Sequence, residues 1–341
     1  MTSQNPKTPL RILVSNASLQ SLASLLGDVP ELSVELLDAD QQLPGVEFDI
    51  ALISRDVTAT STKQKTIPST QKYYDLLLGS NQVKWVHIHS AGADRPIYLD
   101  LMSRGVKVTG SSGVNAPVVT QNAIAGILML ARRFPQMMRA QAERKWDSLI
   151  NYPLPLDLAG QTALILGRGP IGKGIAEVLK ILGVKTIMIG FDLLLKEQSN
   201  HSSIQEGTRH ISELSQVLPL AQWLVIACPL SQETKGLIDR ENLNLLPAGA
   251  HVINIARGEI PVEVDLIEAL ESGKLAGAYL DVFAAEPLDE NSPLWSMNNV
   301  IVTPHSAGHS AGNEQRVLAL FIENLRRYAL GEHLKNQINP S

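Results

Sequence analysis

At 341 residues the chain is too long for one ordinary hydrophobic core, so two domains are expected. Apolar residues make up 44 % and charged residues 18 %, which describes a folded globular protein and excludes a disordered one. The net charge is 29 − 34 = −5, with no basic run longer than a pair such as Arg132-Arg133, and nucleic acid is therefore not an expected partner.

In chain order, "LRILVS" reads as a strand, "SLQSLASLLG" as a helix ending on Gly27, and "LSVELL" as the next strand. There follow "FDIALIS", the helical "QKYYDLLLG", "KWVHIHS", the helical "YLDLMSRG" and the strand "VKVTG". Strands that alternate with helices predict βα units and a parallel sheet covered by helices. The polar stretch at 59–70 reads as a surface loop. Asn115 is the expected cap of a long helix that tolerates Pro117 in its first turn and runs to about 145. After the proline-rich "NYPLPLDLAG", six more strands are expected: "TALILG", "KTIMIGF", "QWLVIAC", "HVINIA", "GAYLDVF" and "NVIVTP". The stretch "EQRVLALFIENLRRYALG" has apolar positions at helical spacing and is expected to pack back on the first unit. The picture is two α/β units in tandem.

No segment suits a membrane: the opening "MTSQNPKTPL" lacks an apolar signal region, and the longest apolar run, Ala123 to Ala131, falls far short of the ~20 residues needed to span a bilayer. Cys228 is the only cysteine, which excludes an intramolecular disulfide and a cysteine zinc cage. A cytoplasmic location and no bound metal are expected.

"TALILGRGPIGKGIAEVLKILG" places Gly167, Gly169 and Gly172 in a G-x-G-x-x-G pattern directly after a strand and at the start of a helix. The first glycine permits a tight turn, the second lets the backbone approach a pyrophosphate, and the third lets helix and strand pack closely. The next strand ends at Asp192, 20 residues past Gly172, where a carboxylate would accept hydrogen bonds from the adenosine ribose. That carboxylate would repel a 2′-phosphate, so NAD (as NADH) is expected and NADP is less so; Lys196 nearby weakens the inference slightly.

In an open parallel sheet, ligands gather beyond the carboxyl ends of the strands. Here those ends carry Arg257, Asp281 with Glu286 five residues on, His305, and Cys228-Pro229, where a small side chain would face the middle of the cofactor. Arginine binds a carboxylate through two parallel hydrogen bonds, and histidine passes protons near neutrality. A carboxylate on the other ring nitrogen orients the imidazole and raises its pKa. Each residue also has a plain reading: a surface arginine, a turn aspartate, a solvated glutamate before Pro287, a histidine bonded to a carbonyl. Their placement at successive strand ends favours chemistry. Cys228 has no neighbouring base and reads as a packing residue rather than a nucleophile. His87 and His89 share one face of their strand and read as structural, and His309 as a rim residue.

At these motifs the chain resembles the D-2-hydroxyacid dehydrogenases, over nearly its whole length. The resemblance is strongest in "LILGRGPIGKGIA", "CPLSQETKGLI", "LPAGAHVINIARGEIPVEVDLIEALESGKLAGAYLDVFAAEPL" and "SPLWSMNNVIVTPHSAG". It implies that Arg257 binds the substrate carboxylate, that Glu286 and His305 form the acid–base pair, and that Asp281 contacts the nicotinamide. It implies further that Gly167, Gly169, Pro170, Ile171, Gly172, Asp192, Cys228, Pro229, Ile255, Ala256, Arg257, Asp281, His305 and Gly308 line the cofactor. "HSAGAD" is similar to the loop whose amides hold the substrate carboxylate, at Ala91, Gly92 and Ala93, with Arg257 and His305 completing the substrate site.

The chain departs from the family at Val119-Thr120-Gln121, where "VAE" is usual, and ends at Ser341 without an expected counterpart to the regulatory domain of long phosphoglycerate dehydrogenases.

The resemblance implies two Rossmann-like domains. A doubly wound, parallel-sheet NAD-binding domain is expected at 116–305, and a smaller, flavodoxin-like substrate domain at 1–115 plus 306–341. The expected partner is a small 2-oxo or 2-hydroxy acid, with glyoxylate and hydroxypyruvate as candidates, and the expected assembly is a homodimer through the NAD-binding domain. Other readings are an NAD-sensing regulator on the same fold and a phosphite dehydrogenase-like enzyme. The latter usually has a lysine where this chain has Ala91. Glu286, where formate dehydrogenase has glutamine, argues against that sibling.

Overall fold

A computed structural model describes residues 9–27, 29, 31–61, 65–93, 95–191 and 207–338. The chain divides into two compact units, 1–115 with 310–341, and 116–309.

The first unit holds a six-stranded sheet. Its strands are β1 (Leu10–Val14), β2 (Val34–Asp38), β3 (Ile50–Ile53), β4 (Trp85–Ile88), β5 (Lys107–Thr109) and β13 (Gln337–Ile338). The order is β13-β5-β4-β3-β1-β2, so the first five strands run 2-1-3-4-5, the flavodoxin-like order. All pair in parallel except β13, which joins the edge antiparallel to β5. The strands are apolar runs because both faces of the sheet are covered. The amphipathic helix Asn313–Leu330 returns to one face, burying Val317, Leu318, Phe321 and Leu325 against Ile12, Val14 and Trp85. Trp85 stacks on Phe321 and Tyr328, with ring centroids 5.2 and 5.5 Å away.

The second unit holds a seven-stranded parallel sheet in the order β12-β11-β10-β9-β6-β7-β8. Its strands are β6 (Thr162–Leu166), β7 (Lys185–Gly190), β8 (Gly207–His210), β9 (Trp223–Ile226), β10 (Ala250–Asn254), β11 (Leu275–Leu280) and β12 (Val300–Val302). Counted from β6, this is the doubly wound 3-2-1-4-5-6 order with one strand added, and the order reverses between β6 and β9.

Four expectations differ. The strand β8, "GTRH", carries no apolar run and was not expected; it pairs with β7, and Arg209 on it is buried. The long helix is two helices, Ala116–Ala131 and Phe134–Ala142, because Arg133 turns into the left-handed region at φ 54° and Pro135 begins the second. Asn115 does not cap the first of them, since its Oδ1 is buried with no hydrogen-bond partner. The helix over 71–79 also starts earlier, at Pro68, inside the stretch read as loop.

Residues 306–309 belong to the second unit, not the first. The Asp281 carboxylate accepts hydrogen bonds from the amides of Ser306 and Ala307, and Asn122 Nδ2 donates to the Ala307 carbonyl at 3.0 Å.

Candidate active site

The glycine turn shows why each glycine is there. Gly167 follows β6 at φ 110°, and a Cβ on it would lie 2.5 Å from the Ala227 carbonyl oxygen across the switch point. A Cβ on Gly172 would lie 2.2 Å from the Gly167 carbonyl oxygen, so the helix Pro170–Ile181 can sit close to β6 only without side chains there. Gly169 is different: a Cβ there meets nothing within 4 Å. It stands in open space before a twelve-residue helix whose first amides carry the positive end of the dipole. These residues fit a dinucleotide pyrophosphate: Gly167 and Gly172 shape the turn, and Gly169 leaves the approach clear. Asp192, expected on the ribose, lies outside the described residues.

Across the switch point, Cys228 is 2 % exposed and packs in the core with Leu166 and Phe283, and burial pushes its thiol up to about 11. Its side chain is therefore not at the surface of the turn. The loop after it is shaped by buried Thr234, whose hydroxyl donates to the Pro229 carbonyl at 2.8 Å and accepts from the Ser231 amide at 2.7 Å.

At the end of β10, the fully buried Asn254 folds the next turn. Its Oδ1 accepts from the Ala256 amide at 3.1 Å and its Nδ2 donates to the Arg257 carbonyl at 3.0 Å. Ile255 and Ala256 are thereby buried and Arg257 is presented at the strand end, its Nη1 donating to the Ala256 carbonyl. Neither Asn254 nor Thr234 was anticipated. A lone amide in the otherwise apolar "HVINIA" was the available signal for the first.

Beyond β11 and β12 lie Asp281, Glu286 and His305. Asp281 is 2 % exposed; its amide donates to the Asn254 carbonyl at 3.0 Å, and its other bonds concern the next strand end. Its carbonyl accepts from the His305 amide at 2.8 Å, and its Oδ1 accepts from the Thr303 hydroxyl at 2.6 Å and the Ser306 amide at 2.8 Å. Ala307 N–H lies 3.0 Å from Oδ2. The aspartate thus holds His305 in a left-handed backbone conformation, φ 49°, which costs a non-glycine residue roughly 1 kcal/mol or more unless its surroundings over-determine it.

The His305 imidazole is half exposed, and its Nδ1 lies 2.8 Å from Glu286 Oε2. Among the described residues Nε2 has no hydrogen-bond partner. The Glu286 bond raises the imidazole pKa above its ordinary value, aided by the charges of Glu286 and Asp281 and opposed by burial and Arg257. Burial pushes the Glu286 carboxyl up, but the hydrogen bond and charge of His305, the Phe283 amide and Arg257 together hold it low. A carboxylate–imidazolium pair beside a guanidinium can orient a planar acid and move one proton at Nε2.

In the first unit, the loop Ser90–Ala93 follows β4. Ser90 Oγ donates to the Gly92 carbonyl at 2.9 Å and the Ser111 amide donates to the Ser90 carbonyl at 2.8 Å. A Cβ on Gly110 would lie 2.9 Å from the Ala91 carbonyl oxygen, so the loop rests directly on Gly110. Among the described residues, the amides of Ala91, Gly92 and Ala93 have no hydrogen-bond acceptor. His87 is buried and bonded at both ring nitrogens, and His89 Nε2 lies 2.8 Å from Thr58 Oγ1. His309 is exposed, and its amide donates to the Ser306 carbonyl. At the "VTQ" departure, Thr120 packs on Gly174, whose Cβ would lie 2.8 Å from its Oγ1, while Gln121 is exposed.

Residues 124–307 match the family model of the D-isomer specific 2-hydroxyacid dehydrogenase NAD-binding domain. The chain belongs to this family.

Among its relatives is a hydroxypyruvate reductase of Blautia hydrogenotrophica, 30 % identical over 67 % of this chain and 70 % of that one. Another is the human glyoxylate reductase/hydroxypyruvate reductase, 27 % identical over 92 % of this chain and 93 % of that one. A solved D-isomer specific 2-hydroxyacid dehydrogenase from Xanthobacter autotrophicus, in complex with NADPH and MES, is 29 % identical, covers 98 % of both chains and superposes with a TM-score of 0.73. As a family member the chain is an oxidoreductase acting on CH–OH donors, with a nicotinamide dinucleotide-binding domain. Among the described residues no group of three metal-ligating side chains could hold an ion, and no helix is long and apolar enough to cross a membrane.

Proposed function

We propose that this dehydrogenase interconverts a small 2-oxo acid and its D-2-hydroxy acid, with glyoxylate and hydroxypyruvate as the leading substrates. The observation that carries the reading is the His305–Glu286 pair, 2.8 Å apart at the ends of adjacent strands beside Arg257. Bound NADH supplies a hydride to the carbonyl carbon. Arg257 holds the substrate carboxylate through its fork of donors. His305, protonated at the start, gives its Nε2 proton to the carbonyl oxygen. Glu286 keeps Nδ1–H engaged and stabilises the imidazolium before transfer; in oxidation the neutral ring takes the proton back. Gly167, Gly169, Pro170, Ile171 and Gly172 cradle the dinucleotide, with Pro229, Ile255, Ala256 and Gly308 along it. Asp281, as the Thr303–Ala307 anchor, serves the reaction by fixing His305.

NAD is preferred over NADP in this reading because Asp192 stands at the ribose position of the fingerprint. A homodimer through the second unit is part of it, supported by the exposed apolar side chains Trp146, Ile150, Leu154 and Leu156 in one segment of that unit. A cytoplasmic setting accords with the single, buried cysteine.

A panel of 2-oxo acids with NADH and with NADPH, followed by nicotinamide absorbance, tests the proposal. Turnover of at least one small 2-oxo acid is expected, faster with NADH. Dinucleotide binding with no turnover of any member would replace the enzyme with a nicotinamide-sensing protein, and faster turnover with NADPH would overturn the role of Asp192.

A further inference from the structure

Two successive peptide units, one on each side of the Phe283 Cα, are held from three directions. The Phe283 amide donates to Glu286 Oε1 at 3.1 Å, and the Ala284 amide donates to Glu263 Oε2 at 3.0 Å. Gly258, the residue after Arg257, lies against the second of these, Phe283–Ala284. A Cβ on it would fall 1.8 Å from the Phe283 carbonyl carbon and 2.3 Å from the Ala284 nitrogen. Glu263 is the first residue of the helix Glu263–Glu271, where a carboxylate also complements the positive helix end.

Glu286 therefore bridges two things. Its Oε1 accepts from the Phe283 amide, in the peptide directly before the one that Glu263 holds, and its Oε2 lies 2.8 Å from His305 Nδ1. The angle at which the carboxylate meets the imidazole follows from where the Phe283 backbone lies. That residue is placed in turn by the peptide that follows it, Phe283–Ala284, which Gly258 limits on one face and whose N–H Glu263 holds. The other charged groups near the pair are engaged elsewhere: Asp281 with Thr303, Ser306 and Ala307, and Arg257 with the Ala256 carbonyl. Neither holds the Ala284 amide.

We infer that Glu263 is a positioning residue for the acid–base pair, setting the Glu286 carboxylate against His305 through the Ala284 amide. The inference rests on the proposed roles of Glu286 and His305 and adds a third carboxylate, outside the reacting groups, on which their geometry depends. Without it the Ala284 amide turns to water, the Phe283–Ala284 peptide tilts and shifts the Phe283 amide with it, and the Glu286–His305 bond lengthens. The imidazole then loses the neighbour that favours its protonated form.

The test compares Glu263→Ala, Glu263→Asp and Glu263→Gln with the unaltered enzyme, by kcat/KM for reduction against pH and by NMR titration of the His305 imidazole. Glu263→Ala is expected to lower kcat/KM at neutral pH by about tenfold, the scale of one hydrogen bond to a charged group. The alkaline limb of its profile and the imidazole titration should both move to lower pH. Glu263→Asp, with its oxygen withdrawn by one methylene, should behave similarly and replaces the alanine variant should that one not fold. Glu263→Gln keeps an acceptor oxygen and should restore most of both readouts. An unmoved imidazole titration in the alanine and aspartate variants, whatever their melting temperatures, overturns the inference. So does a glutamine variant that matches alanine, since charge and not the hydrogen bond would then be at work. Absence of turnover in the unaltered protein would defeat the proposed function, while the imidazole titration would still decide the role of Glu263.

Discussion

His87 lies in a strand of one sheet, His305 just past a strand of the other, and their chemistry is opposite. His87 lies within β4 and is fully buried. Trp85 Nε1 can only donate, and it does so to Thr109 Oγ1 at 2.8 Å. At the other side of the ring, Ser111 Oγ gives its proton to the Ile88 carbonyl at 2.9 Å and so accepts from His87 Nε2–H. His87 Nδ1 is left to accept from the Thr109 hydroxyl, 2.7 Å away. The chain of donors admits one neutral tautomer, and burial, together with His89, lowers the pKa to about 3. His305 stands just past β12, half in solvent, with a carboxylate on one nitrogen and its pKa raised. Both rings are well bonded. What separates them is the charge of the partner and the nitrogen left over, and these decide which imidazole can exchange a proton with a ligand.

The comparison can be broken most severely at His305. His305→Ala is expected to cut kcat by roughly 10²-fold or more, the scale of losing a general acid, with melting temperature nearly unchanged. The sign of the pH dependence follows from the raised pKa: reduction needs the protonated ring, so kcat/KM for reduction should hold through neutrality. It should fall as pH rises through a value above the usual ~6.5. Oxidation should rise over the same range; a limb below 6.5 would mean that Glu286 does not control the ring.

His87→Leu should do the reverse. It leaves Thr109 and Ser111 short of a partner in a buried site and should cost about 1–3 kcal/mol in denaturant unfolding, with kcat and KM intact. Acid sharpens the point. His87, His89 and His251 are held neutral in the fold, at about 3, 4 and 4, chiefly by burial. A depressed pKa contributes stability that is fully present above the unfolded value of ~6.5 and is lost as pH falls toward the folded one. Stability should therefore decline below pH ~6.5, less steeply in His87→Leu, as urea midpoints across that range would show. A kcat loss in His87→Leu matching that of His305→Ala would erase the distinction.

The smallest effect belongs to His309→Ala, four residues past His305 on the same loop. Kinetics within error of the unaltered enzyme are expected, and a loss equal to that of His305→Ala would mean that the wrong imidazole has been assigned.

Much of the scaffold was legible because both sheets are buried on two faces, which makes their strands apolar runs that any reading of the chain detects. β8 and β13 escaped for the same reason. "GTRH" is polar, and Gln337–Ile338 is a two-residue edge strand, so neither carries the pattern that marks a covered strand. The helix break at Arg133 depended on one left-handed residue, which no periodicity announces.

For the site, the glycine turn and the gathering of Asp281, Glu286 and His305 were readable because close packing at a βα turn demands glycine and neighbouring parallel strands end side by side. Asn254, Thr234 and Glu263 were not. They are ordinary polar residues whose importance lies in which backbone amide they meet, and those amides are separated from them by between 2 and 21 positions in the chain. The same holds for His305 against His87. The residue type and the strand are written in the order of amino acids, but the partner on each ring nitrogen comes from segments 19 to 24 residues away, brought near only when the sheets assemble.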